Sequence, residues 1–373
     1  QLRRAAGDQR VNPAFIRHAG SVLWKRRPVH LTFFLTRQCN ASCPFCFYLK
    51  SPDNPQSTAP ELSLEEIERI SRSLGSLLWL AFSGGEVYLR KDLVEISKVF
   101  YDRNRPAVML YPSNGLLPDL IRERTERIAA YCRNSVVVVK LSLDGIGSDH
   151  DMLRNTRGNF DKVMETCDLL QGLLDTSPNF ELGFNTVLTA QNQDKADEII
   201  DFVNGLDSRV THTISMVRGN LLDNDYKQVE PDSYHHATEK LATRLRERAG
   251  GRHRFRGARL KAAQDVLQRR LIHQTLTGQD RSLPCYAGKL NLVLTDSGEL
   301  YPCEIIPQSL GNVRDHDYDI MQVTRSQQAM DVLRSISDSN PHCHTCTHEC
   351  NYITNILFNP AMYPALMSEY LRL

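Results

Sequence analysis

The residues Val29-His-Leu-Thr-Phe-Phe-Leu-Thr36, followed at once by Arg-Gln-Cys39-Asn-Ala-Ser-Cys43-Pro-Phe-Cys46, decide how this chain is read. The first eight are mostly aromatic, aliphatic or β-branched, the composition of a strand buried on both faces. The chain then presents three cysteines in a C-x3-C-x2-C run. A closed structural zinc site takes four ligands, and the forty residues that follow hold no further Cys or His. Three thiolates suit an iron-sulfur cluster with one iron left open for a small molecule. Spacing alone keeps zinc as the alternative.

Working outward, β-rich runs alternate with helical patterns from residue 29 to 217. The rhythm predicts repeated βα units and a parallel sheet. Six strands are expected: Val29 to Thr36, Trp79 to Ser83, Ala107 to Ser113, Val136 to Asp144, Glu181 to Leu188 and Thr211 to Val217. Ser63 stands three residues before Glu66 as a capping box, and Asn192 opens another helical stretch. Right-handed crossovers curl six such units into a partial (β/α)6, TIM-like barrel, whose chemistry sits on loops at the strands' C-terminal ends. The organisation read here is a basic segment over 1–28, a core barrel over 29–230, an Arg-rich helical bridge over 231–284 and a small α+β iron-sulfur domain over 285–373.

Composition excludes several other classes. The 45 basic and 44 acidic residues nearly cancel, which gives no long-range field for nucleic acid. No apolar run approaches the roughly 20 residues of a membrane span. The basic N-terminal segment has no apolar core of signal-peptide length, so a cytoplasmic protein is expected. Eight of the ten cysteines fall in two tight clusters, a spacing that in a cytosolic chain suggests metal rather than disulfides. Cys132 and Cys167 lie in apolar-periodic stretches and read as buried small hydrophobes.

A C-x3-C-x2-C loop after a first strand, with the aromatic Phe45 before its last Cys, resembles the signature of radical S-adenosylmethionine (radical SAM) enzymes. The resemblance implies that Cys39, Cys43 and Cys46 bind a [4Fe-4S] cluster and that SAM chelates the fourth iron. It also implies that one electron cleaves SAM to a 5'-deoxyadenosyl radical, which abstracts a substrate hydrogen. Later strand ends carry segments similar to the family's SAM-binding elements. Gly84-Gly85-Glu86 is placed to receive the SAM ammonium, and Ser113-Asn114-Gly115 resembles a T-N-G segment with Ser for Thr. Ser142 and Asp144 are placed for the ribose or the methionine end, Arg154 for the carboxylate, and Asn185 and Met216 for the adenine side. Taken singly, Gly84-Gly85 is a tight turn, Asp144 a helix cap and Arg154 a surface ion pair; the likeness lies in their joint spacing over residues 30 to 217. A flavodoxin- or ferredoxin-like electron donor is also implied.

The second cluster is Cys285-x12-Gly298-x4-Cys303, around a hairpin signal at Asp296-Ser297-Gly298, and then Cys343, Cys346 and Cys350. It resembles the SPASM extension of radical SAM enzymes, or its shorter Twitch form. Five cysteines support one auxiliary [4Fe-4S] cluster rather than two. Cys285, Cys303, Cys343 and Cys346 are the Twitch-like set, with Cys350 spare or replacing one of the later pair. Zinc is the alternative, because His342, His344 and His348 interleave these cysteines.

For substrate, Arg218, Tyr301 and Glu304 are the candidate contacts. The arginines between 244 and 259 read as a solvated face, with an anionic substrate as the sharper option. Phe15 to Trp24, flanked by Arg17 and by Lys25 to Arg27, suggests a segment that lies on a membrane surface. The expected activity is hydrogen abstraction from a small molecule, with net oxidation assisted by the auxiliary cluster. The alternatives are modification of a ribosomally made peptide and, from another class, a non-enzymatic electron-transfer or zinc-binding protein.

Overall fold

The computed structural model describes residues 17–51, 59–247, 255, 257–279, 283–336 and 341–373. Six parallel strands form its centre: β1 (His30–Thr36), β2 (Trp79–Gly84), β3 (Val108–Ser113), β4 (Val136–Ser142), β5 (Phe180–Leu188) and β6 (Thr211–Met216). They lie in the order β6-β5-β4-β3-β2-β1, with registers such as Phe33↔Phe82 and Val139↔Leu182. This is the partial TIM-like barrel that the alternating pattern predicts. Each strand begins and ends within two residues of its expected position.

Period-2 alternation gives each strand its two faces. Leu31, Phe33 and Leu35 of β1 point outward into the main core with Leu80 and Phe82. Phe33 packs edge-on to Phe100, with ring centroids 6.2 Å apart. The covering helices are α1 (Leu64–Ser73), α2 (Leu93–Asn104), α3 (Pro118–Tyr131), α4 (Asn159–Gln171) and α5 (Ala196–Gly205). At the start of α1, Ser63 Oγ accepts from Glu66 N–H while Glu66 Oε2 accepts from Ser63 N–H, the expected capping box. Cys132 and Cys167 are buried in this core, and burial pushes their thiols up to about 12 and about 11.

The inner face is more polar. Lys140 points inward and donates to Thr211 Oγ1 at 2.7 Å; burial lowers its ammonium to about 8. Gly183 makes room for it, since a Cβ there would stand 2.6 Å from Lys140 Nζ. After α6 (Pro231–Glu247), the helix α7 (Ala258–Leu276) buries Gln264, Asp265, Gln268 and Arg269. An apolar cavity of about 60 Å³ between His30, Trp79 and Leu260 lies at the strands' N-terminal ends, away from the cysteine loop.

The predicted hairpin forms as β7 (Asn291–Leu294) and β8 (Glu299–Tyr301), but it does not stand apart from the barrel. β7 pairs in parallel with β1, and the short β9 (Gly311–Asn312) follows β8, so one nine-stranded sheet runs from β6 to β9. The helices α8 (Gln327–Ser335), α9 (Glu349–Leu357) and α10 (Tyr363–Arg372) complete the chain. No helix among the described residues is long and apolar enough to cross a membrane. Of the arginines between 244 and 259, Arg244 pairs with Asp201, Arg246 with Glu239 and Glu369, and Arg259 covers the Tyr370 ring. Arg248, Arg252, Arg254 and Arg256 lie outside the described residues, as do Phe15 and Ile16. Leu23 and Trp24 are exposed.

Candidate active site

The cysteine loop leaves the C-terminal end of β1 and is anchored from both sides. Phe34 of β1 stacks on Tyr48, with centroids 4.3 Å apart, and Tyr48 OH donates to Asp296 Oδ1 in the β7–β8 turn at 2.6 Å. Within the loop, Cys46 N–H donates to Cys43 O at 3.3 Å and Leu49 N–H to Cys46 Sγ at 3.3 Å. Burial raises the Cys39 and Cys43 thiols, so only a metal or a cation would favour their ionised form there.

The second strand end is tied to the root of this loop. Gly85 N–H donates to Thr36 O at 2.7 Å and Glu86 N–H to Gln38 O at 2.8 Å. Gly84 has φ +119°, and a Cβ on Gly85 would sit 2.1 Å from Gln38 O; the close approach demands glycine at both. Glu86 is buried. Its Oε1 accepts from Ser113 Oγ at 3.0 Å and from Tyr88 N–H at 3.3 Å, and Oε2 accepts from Asn114 N–H at 2.7 Å. Burial outweighs these bonds and raises the carboxyl to about 7. Asn114 Nδ2 donates to Asn40 Oδ1 at 2.8 Å and lies 3.8 Å from Cys39 Sγ.

At the fourth strand end Asp144 and Arg154 meet. Arg154 Nη1 donates to Asp144 Oδ2, and Val187 N–H donates to Asp144 Oδ1. Arg154 is 8% exposed, and its Nε has no hydrogen-bond partner. Ser142 lies in register beside Asn185, whose Oδ1 accepts from Thr213 and Ser215 hydroxyls at 3.0 Å each. Phe45 and Met216 share one apolar cluster with Leu188 and Val217. The three thiols, the glycine cradle against their loop and the orphaned guanidinium nitrogen fit a three-cysteine cluster with an amino-acid-bearing ligand beside it.

Of the substrate candidates, Arg218 and Glu304 bind each other, with Nε and Nη2 each 2.8 Å from Glu304 Oε2. The Arg218 guanidinium also covers the Phe47 ring at 4.7 Å. Tyr301 lies in register with Val293 and packs near Phe34 and Tyr48; burial raises its phenol. In the C-terminal part, Cys303 and Cys343 share a small buried cluster with Ala287, Ile306 and Ile336, against which Cys285 packs. Burial, joined by the nearby Cys346 and Cys285 thiols, pushes Cys303 up to about 12. Cys350 lies beside Glu304 and His348.

Residue-by-residue reading of the sequence missed several supporting groups. His150 Nδ1 accepts from Asp144 N–H at 3.1 Å, Asn159 Nδ2 donates to Asn114 O at 2.8 Å, and Asn192 Nδ2 donates to Asp144 O at 2.9 Å. Glu349 Oε1 accepts from Met216 N–H at 3.0 Å. The available signal was a polar residue at a position the helical period buries, as with Asn159.

Residues 33–203 match the model of the Radical SAM superfamily. These residues form a radical SAM domain. Over 334 residues it is 22% identical to the AdoMet-dependent heme synthase of Methanosarcina barkeri, covering 86% of this chain and 89% of that protein. It is 26% identical to the sporulation killing factor maturation protein SkfB of Bacillus subtilis over 240 residues, 61% of this chain and 54% of SkfB. Among solved structures, anSMEcpe with bound AdoMet aligns at a TM-score of 0.59 and 17% identity, covering 93% of this chain and 96% of that one. Streptococcus suis SuiB bound to S-adenosylmethionine aligns at 0.59 and 14%, covering 88% and 73%. At these identities the structures establish the radical SAM fold, with its SAM and [4Fe-4S] requirement following from the family.

Proposed function

We propose that this radical SAM protein abstracts a hydrogen atom from a small molecule and carries the product through a net oxidation, with one auxiliary [4Fe-4S] cluster accepting the electron. The observation that carries the reading is convergence: the cysteine loop, Gly84 to Glu86, Asn114 and the Asp144–Arg154 pair all stand at C-terminal strand ends around one position. When bound, the cluster and SAM supply the radical by one-electron reductive cleavage. Cys39, Cys43 and Cys46 hold the cluster. Glu86 offers a carboxylate to the SAM ammonium, a charge-assisted contact in a low-dielectric site. Arg154, fixed by Asp144, offers its unpartnered Nε side to the SAM carboxylate. Ser142, Asn185, Phe45 and Met216 line the remainder.

The auxiliary cluster is assigned to Cys285, Cys303, Cys343 and Cys346, since Cys285, Cys303 and Cys343 share one apolar cluster and Cys346 lies near Cys303, while Cys350 lies beside Glu304 and His348. With every iron ligated by protein, such a cluster is suited to electron transfer rather than substrate activation. A small-molecule substrate is favoured over a peptide because the likeness to the heme synthase runs over nearly both whole chains, whereas that to SkfB stops at about half of SkfB. A flavodoxin- or ferredoxin-like donor in the cytoplasm completes the proposal.

The test is anaerobic reconstitution followed by iron counting and a dithionite assay for 5'-deoxyadenosine, on the wild type and on a Cys39→Ala, Cys43→Ala, Cys46→Ala variant. About eight irons against about four, with SAM cleavage only in the wild type, is the expected result. Iron without SAM cleavage under any reductant would leave an electron-transfer protein instead.

A further inference from the structure

We propose that Glu304, His348 and Cys350 form a mixed-ligand site for a divalent zinc-type cation, separate from the four-thiol auxiliary set. The inference rests on that set being Cys285, Cys303, Cys343 and Cys346, which leaves Cys350 without a cluster to bind. One ligand atom from each of Glu304, His348 and Cys350 lies within 4.8 Å of the other two. His348 Nε2 stands 3.2 Å from Glu304 Oε2. Zinc bonds of about 2.0 Å to N and O and about 2.3 Å to S place tetrahedral ligands about 3.3–3.5 Å apart. One edge of the triangle is therefore already at coordination spacing, and the two edges to Cys350 are no longer than 4.8 Å.

A second observation points to a ligand. His348 is 2% exposed, and its ring is faced by the Glu304 carboxylate and the Cys350 thiol. A buried imidazole held between a carboxylate and a thiol stands where a metal ligand would, and a cation can take the place of its proton. Charge agrees with this. Arg218 lies against Glu304 Oε2 and within 3.8 Å of Glu349 Oε2. Two carboxylates, one thiolate, one guanidinium and one dication sum to zero, as do the same groups with a neutral Cys350 thiol and a protonated His348 when no metal is bound, so zinc exchanges for two protons. Arg218 on the ligating carboxylate is the kind of partner that fixes a metal ligand's orientation. The donor set of one S, one N and one O matches zinc, and three protein ligands leave one position for water or a substrate oxygen. Binding displaces the Cys350 thiol proton and the second His348 ring proton to solvent as the Zn–S and Zn–N bonds form, with no change of oxidation state.

The experiment measures zinc and iron together on anaerobically reconstituted protein given zinc sulfate and then washed with chelator. The proteins are the wild type and the Cys350→Ser, Cys350→Ala, His348→Asn and Glu304→Gln variants, with zinc K-edge X-ray absorption on the wild type. The expected result is about one zinc per chain beside a full iron complement, a first shell of one sulfur and nitrogen or oxygen neighbours, and a tenfold or greater loss of zinc in each variant with iron unchanged. Retained iron certifies that a variant has folded. Three results overturn the proposal. The first is iron-replete protein without zinc. The second is a Cys350 variant that loses the auxiliary iron, which would make Cys350 a cluster ligand. The third is zinc bound by several sulfurs, which would also overturn the auxiliary cluster itself and so separates the two failures.

Discussion

Arg154 and Asp144 form a buried ion pair in which Nη1 donates to Oδ2 at 2.6 Å. The second carboxylate oxygen is taken by Val187 N–H at 2.8 Å, so Asp144 spends its acceptors on protein while the guanidinium keeps Nε unpartnered. Asp144 is then a positioning residue and Arg154 the one that meets a ligand. Arg154→Ala should weaken SAM binding by roughly tenfold to a hundredfold, as expected for a hydrogen bond to a charged group worth about 1.5–3 kcal/mol. Asp144→Asn should weaken it less. Equilibrium dialysis with radiolabelled SAM, alongside iron counts, checks the order; equal losses would place both on the ligand.

SAM binding should depend on pH through Glu86. Its carboxyl is raised by burial to about 7, and an ammonium beside it favours the ionised form, so below that pH binding must expel a proton. Affinity should fall by up to about tenfold per unit as pH drops below 7, and Glu86→Gln should bind weakly with a flat profile. For the fold the sign is opposite. The folded chain holds this proton between the ordinary value of 4.5 and about 7, so the group's contribution to stability is present below 4.5 and is lost as pH rises toward 7.

Gly85→Ala tests the cradle. Its Cβ would stand 2.1 Å from Gln38 O, a backbone atom at the root of the cysteine loop, so the loop must move. Iron in the reconstituted protein should fall from about eight toward about four and SAM cleavage should be lost, while circular dichroism stays close to that of the wild type.

Glu66 serves three partners at once. It closes the capping box with Ser63 and accepts from Arg314 Nε and Tyr318 OH, each at 2.9 Å. Arg314's hydrogen bond, opposed by burial, holds its carboxyl down at about 2. The stability it contributes is present above 4.5 and should be lost as pH falls toward 2. Ser63→Ala should cost about 1 kcal/mol, and Glu66→Gln should in addition flatten the acid limb of a urea titration followed across pH.

The strands were legible because each is an apolar, β-branched run cut by Gly, Asn or Asp, and both signals are local. The motif residues were legible because backbone chemistry demands them: no side chain replaces Gly85 against Gln38. What stayed hidden is non-local. Nothing near Asn192 announces a carbonyl at Asp144, and nothing near Glu304 announces Arg218, 86 residues earlier. α7 misleads in another way. Its buried Gln264, Gln268 and Arg269 look like surface residues in sequence. They are buried because the barrel's inner face, with Lys140 and Thr211, is itself polar.

The pairing of β7 with β1 bears on how the molecule could be cut. A fragment stopping after β6 would keep every residue assigned to the SAM site, yet it would leave β1 with a bare hydrogen-bonding edge next to Phe34 and the cysteine loop. Exposed apolar edges recruit foreign strands, so such a fragment should aggregate rather than work as a smaller enzyme. The C-terminal part is less an accessory fitted to a finished barrel than the cover of its β1 edge.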